Sequence, residues 1–165
     1  MNAPFAIIFL ALQSRIAGQV PAIKYIDQDI GQLKQPLPPV SWPCVLLDFE
    51  DFTCTNLAGN VQVATGTIVL RLGFAPWSGT AQYTPGTSAA QALCYYELEW
   101  ALHKTLQGWH PGPEFGALTR TATTTQKRTD SYRVREIRYT LSFEDYSAHK
   151  TQGYAPAVVL VHSEF

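Results

Sequence analysis

The sequence predicts an α+β fold, in which a mainly antiparallel sheet is covered by two helices and completed by a closing β-hairpin. The predicted elements run helix, three strands, helix and two strands, without the regular β-α-β alternation of a parallel doubly wound sheet. The last strand alternates apolar and polar residues, which is typical of a strand with one buried face. A chain of 165 residues fits one domain. We assign residues 1–145 to this domain and residues 146–165 to a C-terminal appendix, expected to order against the domain or a partner.

The first predicted element is an N-terminal helix over residues 4–17, which Gly18 is expected to end. Its apolar side chains recur at helical spacing: Phe5, Ile8, Phe9, Leu12 and Ile16. The apolar run over residues 5–12 is too short to span a bilayer, which takes about 20 residues, and no basic residues precede it as in a signal peptide. We therefore expect the helix to cover the sheet, and we expect no membrane partner.

Three strands are predicted between the helices. A short strand is expected over residues 23–27, and four prolines then make residues 36–43 an extended connection outside any central strand. Residues 44–49 are continuously apolar, which indicates a strand in the interior of the sheet. Residues 50–59 are interpreted as a loop, and a long strand is expected over residues 60–74.

Two features of that long strand predict how it packs. Ile68, Leu70 and Leu72 share one face, because side chains alternate along a strand. Gly66 interrupts the pattern with a residue that has no side chain. We expect a bulge there, or a close approach of another part of the chain.

A long helix is predicted over residues 88–107. Thr87 or Ser88 is expected to cap its first turn, because a hydroxyl oxygen can accept a hydrogen bond from an otherwise unpaired N–H group. Gly108 can adopt the left-handed conformation that ends helices, and Pro111 prevents the helix from resuming.

The apolar residues of this helix form two stripes. One contains Ala89, Leu93, Tyr96 and Trp100, and the other contains Leu98, Ala101, Leu102 and Leu106. An arc this wide indicates contact with the sheet on one side and with something else on the other. Trp100 and Trp109 are interpreted as core residues, since large aromatic side chains are mostly buried.

The closing hairpin is predicted from two long strands, over residues 117–127 and 131–144. The first strand is rich in threonine, which favours strands. In the second strand, one set of alternate residues becomes apolar toward the C-terminal end and the other set stays polar. The first set contains Arg133, Arg135, Ile137, Tyr139, Leu141 and Phe143, and the second contains Tyr132, Val134, Glu136, Arg138, Thr140 and Ser142.

Composition points to assembly rather than to a charged partner. Charged residues make up 15% of the chain and the net charge is −1, against about 25% charged residues in an average domain. Interface cores are depleted in charge, so a chain covered by neighbours tolerates this composition. The odd number of cysteines, Cys44, Cys54 and Cys94, indicates free thiols in a reducing compartment.

A search for catalytic chemistry gives one candidate. The sequence has no Gly-x-Ser-x-Gly motif, no zinc-type spacing of Cys and His, and no phosphate-binding glycine loop. Asp48 and Glu50 share a strand face, as a metal-dependent nuclease requires. We interpret them instead as a strand end that turns into solvent, and we expect no enzymatic activity, metal or cofactor.

A second alternative is nucleic-acid binding by the closing hairpin, which gathers most of the arginines. The basic residues are Arg120, Lys127, Arg128, Arg133, Arg135 and Arg138. Asp130, Glu136, Glu144 and Asp145 dilute this charge, which argues against a groove-binding surface. We expect a mixed polar face, or ion pairs across a subunit contact with Arg133, Arg135, Glu136 and Arg138 as the interface residues.

Several stretches resemble the tail terminator (tail-completion) proteins of tailed bacteriophages, particularly the Mu-like prophage members. They are Ala-Leu-His-Lys-Thr-Leu-Gln-Gly-Trp-His-Pro at 101–111, Phe-Gly-Ala-Leu-Thr-Arg at 115–120 and Tyr-Thr-Leu-Ser-Phe-Glu-Asp at 139–145. Residues 23–27, 31–33 and 43–49 are similar to the same family. The resemblance rests on the order and spacing of these stretches and extends from residue 4 to residue 145.

The resemblance implies a non-enzymatic virion protein that forms a ring, typically of six copies, at the head-proximal end of the tail. Such a ring stops polymerisation of the tail tube and gives the head or neck a docking surface. The implied partners are further copies of the chain, the tail tube protein and head–tail connector or neck proteins, with the sheath as a further candidate. DNA is expected to pass through the lumen without sequence-specific binding. The protein is expected to be made in the host cytoplasm. Related folds also serve as other head–tail connector components, so that role stays open.

Overall fold

A computed structural model describes residues 3–75 and 86–149 of the chain. Its helices are α1 (Pro4–Gln19) and α2 (Gly86–Leu106), and its strands are β1 (Tyr25–Gln28), β2 (Cys44–Asn56), β3 (Gln62–Phe74), β4 (Thr119–Gln126) and β5 (Arg133–Asp145). Single turns of 3-10 helix cover Gln32–Lys34 and Ala58–Asn60. This architecture confirms the α+β prediction.

The five strands form one sheet in the order β1-β2-β3-β5-β4. The short strand β1 runs parallel to β2, and every other pairing is antiparallel. The long strands β2, β3 and β5, of 13 residues each, lie in the interior of the sheet, and β4 is one of its two edges. The interior position predicted for residues 44–49 is therefore confirmed.

The loop predicted over residues 50–59 is wrong in its first part, because β2 continues to Asn56. The residues after Phe52 are polar and exposed, so their sequence resembles a loop although their main chains pair with β3. A bulge lies between Glu50 and Thr53, opposite Gly66. A Cβ atom on Gly66 would lie 2.4 Å from ring carbons of Phe52, which confirms the close approach predicted there.

The main core lies between the two helices and one face of the sheet. Ile8, Leu12 and Ile16 of α1 are fully buried, which confirms the helical spacing of the N-terminal segment. Leu102 and Leu106 of α2 are buried in the same cluster. The sheet contributes Val45, Leu47, Ile68, Leu70, Leu72, Ile137, Tyr139, Leu141 and Phe143. The two helices therefore cover one face of the sheet, as predicted.

A smaller cluster lies on the opposite face and was not predicted. It contains Leu33, Cys44, Leu46 and Val134. The connection over residues 29–43 folds across this face, and the Trp42 ring stacks on Tyr132 with centroids 5.0 Å apart. Burial raises the pKa of the Cys44 thiol to about 12, so this cysteine is an inert apolar group. Cys54, by contrast, is exposed.

Two predictions about α2 are wrong. The helix begins at Gly86, so Thr87 and Ser88 lie inside it and do not cap it. Trp100 is 58% exposed rather than part of the core. The helix rests on the sheet with the stripe that contains Leu102 and Leu106, and a helix of this diameter cannot bury both stripes against one flat surface.

The end of α2 agrees with the sequence prediction. Gly108 has a φ angle of 75°, which is the left-handed conformation expected of a residue that ends a helix. Trp109 is partly buried against the main core. The prediction that Trp109 packs against the core is therefore confirmed.

Some predicted segments lie outside the described residues: most of the loop before α2 and the last apolar run, residues 157–162. The division at residue 145 therefore stays a prediction, although a turn at Tyr146–His149 is described. No helix in the described ranges is long and apolar enough to cross a membrane.

Candidate functional site

A network of arginines and carboxylates lies on the sheet face opposite the helices. Arg71, near the C-terminal end of β3, reaches Asp29 at 2.5 Å, Glu50 at 2.9 Å and Asp48 at 3.2 Å. Its Nε atom lies 3.5 Å from Glu136, the residue opposite it in β5. Because side chains alternate along strands, these groups from β2, β3 and β5 all point to the same face.

Arg138 extends the network along β5. Its guanidinium lies 2.9 Å from Glu50 and 2.7 Å from Glu136. Burial raises the pKa of Glu136, but hydrogen bonds from Arg138 and Gln126 outweigh it and leave the pKa below its usual value. Two guanidiniums therefore hold four carboxylates, those of Asp29, Asp48, Glu50 and Glu136.

This geometry favours a structural role for Asp48 and Glu50. Their interpretation as a strand end that turns into solvent is wrong, because β2 continues to Asn56 and both carboxylates form ion pairs on the sheet face. The structure brings the two carboxylates together, as the nuclease hypothesis required, but both contact the Arg71 guanidinium. A cation of the protein itself thus occupies the position between them. In the described ranges, no group of three or more His, Cys, Asp or Glu side chains has the arrangement to hold a metal ion.

The four predicted interface residues do not form one patch. Glu136 and Arg138 belong to the network, whereas Arg133 and Arg135 lie on the helix-covered face. Arg135 donates two hydrogen bonds to Glu99 of α2, at 2.6 Å and 3.0 Å. The Arg133 guanidinium lies 4.4 Å from the centre of the Tyr95 ring. The four residues lie on two faces because side chains alternate along a strand. A subunit contact that used all four would therefore involve both faces of the sheet.

The outward side of α2 carries an exposed row of large apolar residues. Leu93 is 43% exposed, Tyr96 is 48% exposed and Trp100 is 58% exposed. They lie one above another because residues three and four apart share a helix face. Lys104 continues the row, with its ammonium 4.3 Å from the centre of the Trp100 ring. We call Leu93, Tyr96, Trp100 and Lys104 the outer stripe.

Two further large aliphatic side chains are exposed on the opposite side of the sheet. Ile30 and Leu37 are 81% and 83% exposed, and both belong to the connection that covers the second face. Ile30 borders a depression of about 430 Å³ that Asp29, Asp48 and Arg71 also line. We call Ile30 and Leu37 the aliphatic surface. Sequence analysis missed it; the available signal was a large aliphatic residue isolated in a polar or proline-rich turn.

Three of the six basic residues of the hairpin, Arg128, Arg135 and Arg138, are paired with carboxylates within the chain. Arg128 contacts Asp130 and donates a hydrogen bond of 2.6 Å to the Leu33 carbonyl oxygen. Arg135 is paired with Glu99, and Arg138 is paired with carboxylates of the network. These contacts neutralise half of the positive charge that the hairpin could offer to a nucleic acid.

Comparisons with known proteins show distant structural likeness. No family model matches the chain, and no curated protein matches it. Among solved structures, the chain is similar to a chain of the "Virion of native gene transfer agent (GTA) particle", with 12% identity and a TM-score of 0.45. The match covers 87% of this chain and 96% of that one. A likeness at this level carries no argument about function.

Proposed function

We propose that this chain is a non-enzymatic structural protein of a phage-type virion, which forms a ring that ends the tail tube and joins it to the head or neck. The sequence resemblance to tail terminator proteins suggests this class. The structural observation that carries the proposal is the exposure of large apolar side chains on opposite sides of the sheet in the described part of the chain. The five large apolar side chains of the outer stripe and the aliphatic surface are between 43% and 83% exposed.

Two different surfaces are what a closed ring requires. In a cyclic assembly every subunit contacts its two neighbours through unlike patches, so one chain must carry both halves of the contact. Contiguous exposed apolar groups on a soluble domain mark such contact sites. The outer stripe and the exposed pair of Ile30 and Leu37 offer two different sites for such contacts. Arg135 lies beside Tyr96 of the first site, and Glu136 belongs to the ion network on the sheet face of the second.

The edge of the sheet offers a further contact. β4 pairs with β5 on one side, and in the described part of the chain no strand pairs with its other side. An edge strand exposes unpaired N–H and C=O groups that can bind another chain. This supports the prediction that the closing hairpin, including Arg133, Arg135, Glu136 and Arg138, contributes to the subunit contact.

The remaining features of the proposal come from the family resemblance. They are a ring of six copies, a position at the head-proximal end of the tail, and contacts with the tail tube protein, with connector or neck proteins, and with the sheath. DNA then passes through the lumen without sequence-specific binding. We propose no catalytic step, since Arg71 already neutralises the Asp48 and Glu50 carboxylates.

The test of the function is the length of the tails made without this protein. Virions are produced from the parent genome with the gene intact or deleted, and tail tubes are measured by electron microscopy. The proposal predicts tubes of variable, excessive length that fail to join heads. Tubes of normal length that still join heads after the deletion would contradict it.

A further inference from the structure

We infer that neighbouring copies of this chain meet head to tail, with the outer stripe of one copy against the aliphatic surface of the next. This inference rests on the proposed ring and specifies its contact. It commits to a second copy of the chain as the occupant of both surfaces. Three observations support it: the positions of the surfaces, their shapes and their charges.

The two surfaces lie on opposite sides of one sheet. Leu102 and Leu106 attach α2 to the face that contains the main core. Leu33 attaches the connection bearing the aliphatic surface to the other face, where it packs against Cys44 and Leu46. The two surfaces of one chain therefore cannot touch each other. Each can contact the other kind of surface on a neighbouring copy, and repetition of this contact from copy to copy gives a head-to-tail assembly.

Both residues of the aliphatic surface lie in stretches whose backbone is constrained. Leu37 lies between Pro36 and Pro38, which fix the backbone φ angle on both sides. Gln32 accepts a hydrogen bond from the Ile30 N–H group, and Asp29 accepts one from the Gly31 N–H group, each at 2.8 Å. A side chain presented by such a backbone loses little conformational entropy on binding.

The outer stripe contains aromatic residues of the kind that bind exposed aliphatic side chains at protein interfaces. Tyr96 and Trp100 are of the residue types enriched at the energetic centres of interfaces. Arg135 makes a cation–π contact with the Tyr96 ring, and its guanidinium lies 5.5 Å from the ring centre. The stripe thus offers flat aromatic faces to aliphatic side chains.

The charges around the two surfaces have opposite signs. Lys104 and Arg133 on the α2 side contact aromatic rings, and in the described residues neither has a carboxylate partner. Glu97 offsets one of these two cations. Beside the aliphatic surface, four network carboxylates face Arg71 and Arg138, and Lys34 at the rim of the depression offsets one more. Arg128 also lines the depression, but its charge is balanced by its ion pair with Asp130. One surface therefore has an excess of one positive charge and the other an excess of one negative charge.

The deciding experiment is chemical cross-linking in assembled tails. Cysteines are introduced as Lys34→Cys and Glu97→Cys, one beside each surface, in a chain that also carries Cys54→Ser and Cys94→Ser. Both positions are exposed and neither belongs to the apolar surfaces themselves. After treatment of purified tails with a short bis-maleimide, the double variant is expected to give a ladder of covalent multimers, and each single variant only monomers.

Other results would overturn the inference. Dimers from Glu97→Cys alone would indicate a two-fold contact between like surfaces. No ladder from the double variant, in tails that carry a normal ring, would show that the ring uses another contact, and the proposed function would then stand without this inference. A ladder from a protein that is not located at the tail end would instead contradict the proposed function.

A matched set of surface variants gives a second readout that is independent of cysteine chemistry. Trp100→Ser and Leu37→Ser are each expected to reduce incorporation into tails by roughly 30-fold, as expected for the loss of an interface anchor. Leu10→Ser is the control, because Leu10 is 48% exposed on α1 and belongs to neither surface. Equal incorporation of all three folded variants would overturn the inference.

Discussion

On the face covered by the helices, β3 and β5 place Leu70 beside Ile137. One residue further along, on the other face, the same strands place Arg71 beside Glu136. The first pair is fully buried, whereas the side chains of the second pair are 18% and 13% exposed. The helix-covered face is thus stabilised by removal of apolar surface from water, and the other face by ion pairs that fix the relative positions of four segments of chain.

This difference between the two faces shows how one sheet can contribute to both folding stability and assembly. Apolar burial supplies most of the folding free energy but is not directional. Hydrogen-bonded ion pairs contribute less net free energy and fix geometry more closely. The network ties Asp29, at the start of the connection, to β2, β3 and β5, and so positions the neighbouring aliphatic surface.

The largest effect is expected from the helix-covered face. Leu102→Ala should lower the free energy of unfolding by about 2–5 kcal/mol, because Leu102 is fully buried and its removal leaves a cavity. Leu93→Ala, in the same helix but 43% exposed, should cost less than about 1 kcal/mol. Chemical denaturation measures both values. Equal losses at the two positions would contradict the assignment of the buried side of α2.

A smaller loss is expected from the ion network. Arg71→Met leaves four carboxylates with one guanidinium, and should destabilise the fold by roughly 1–3 kcal/mol, less than a fully buried pair because the network is partly exposed to water. Lys127→Met, at an exposed position outside the network, is the control and should have little effect. If both variants unfold at the same denaturant concentration, the network does not stabilise the fold.

The dependence of stability on acid pH should also differ between the two faces of the sheet. The folded-state pKa of Glu136 lies below its usual value. Its contribution to stability is therefore complete above the unfolded-state pKa of about 4.3, and is lost as the pH falls through the folded-state pKa. Glu136→Gln should flatten the dependence of stability on pH below about pH 4.5, whereas Leu102→Ala should lower the whole curve without changing its slope. An unchanged slope in Glu136→Gln would show that this carboxylate does not respond to its ion pairs.

Sequence periodicity was sufficient for α1 and for the strands of the helix-covered face. Burial against a single apolar layer produces a regular spacing of apolar residues in the sequence. This spacing is helical for Ile8, Leu12 and Ile16, and it alternates for Leu70 and Leu72. The exposed half of β2 escaped prediction, because the pairing of its polar residues depends on β3 rather than on their own pattern.

The candidate surfaces were less accessible to sequence analysis. Arg71 gathers partners from Asp29 to Glu136, and no local pattern reveals contacts across such distances in the chain. Trp100 was assigned to the core because a wide apolar arc does not indicate which of its stripes faces the sheet. Whether Arg133, Arg135, Glu136 and Arg138 take part in subunit contacts remains a prediction.

The most direct test of the ring is electron cryomicroscopy of purified tails that carry this chain, with its position confirmed by a labelled antibody. The account predicts a single ring at the head-proximal end of each tail, in which α2 of every copy faces the 29–43 connection of the next. One copy per particle, or copies distributed along the tube, would contradict it.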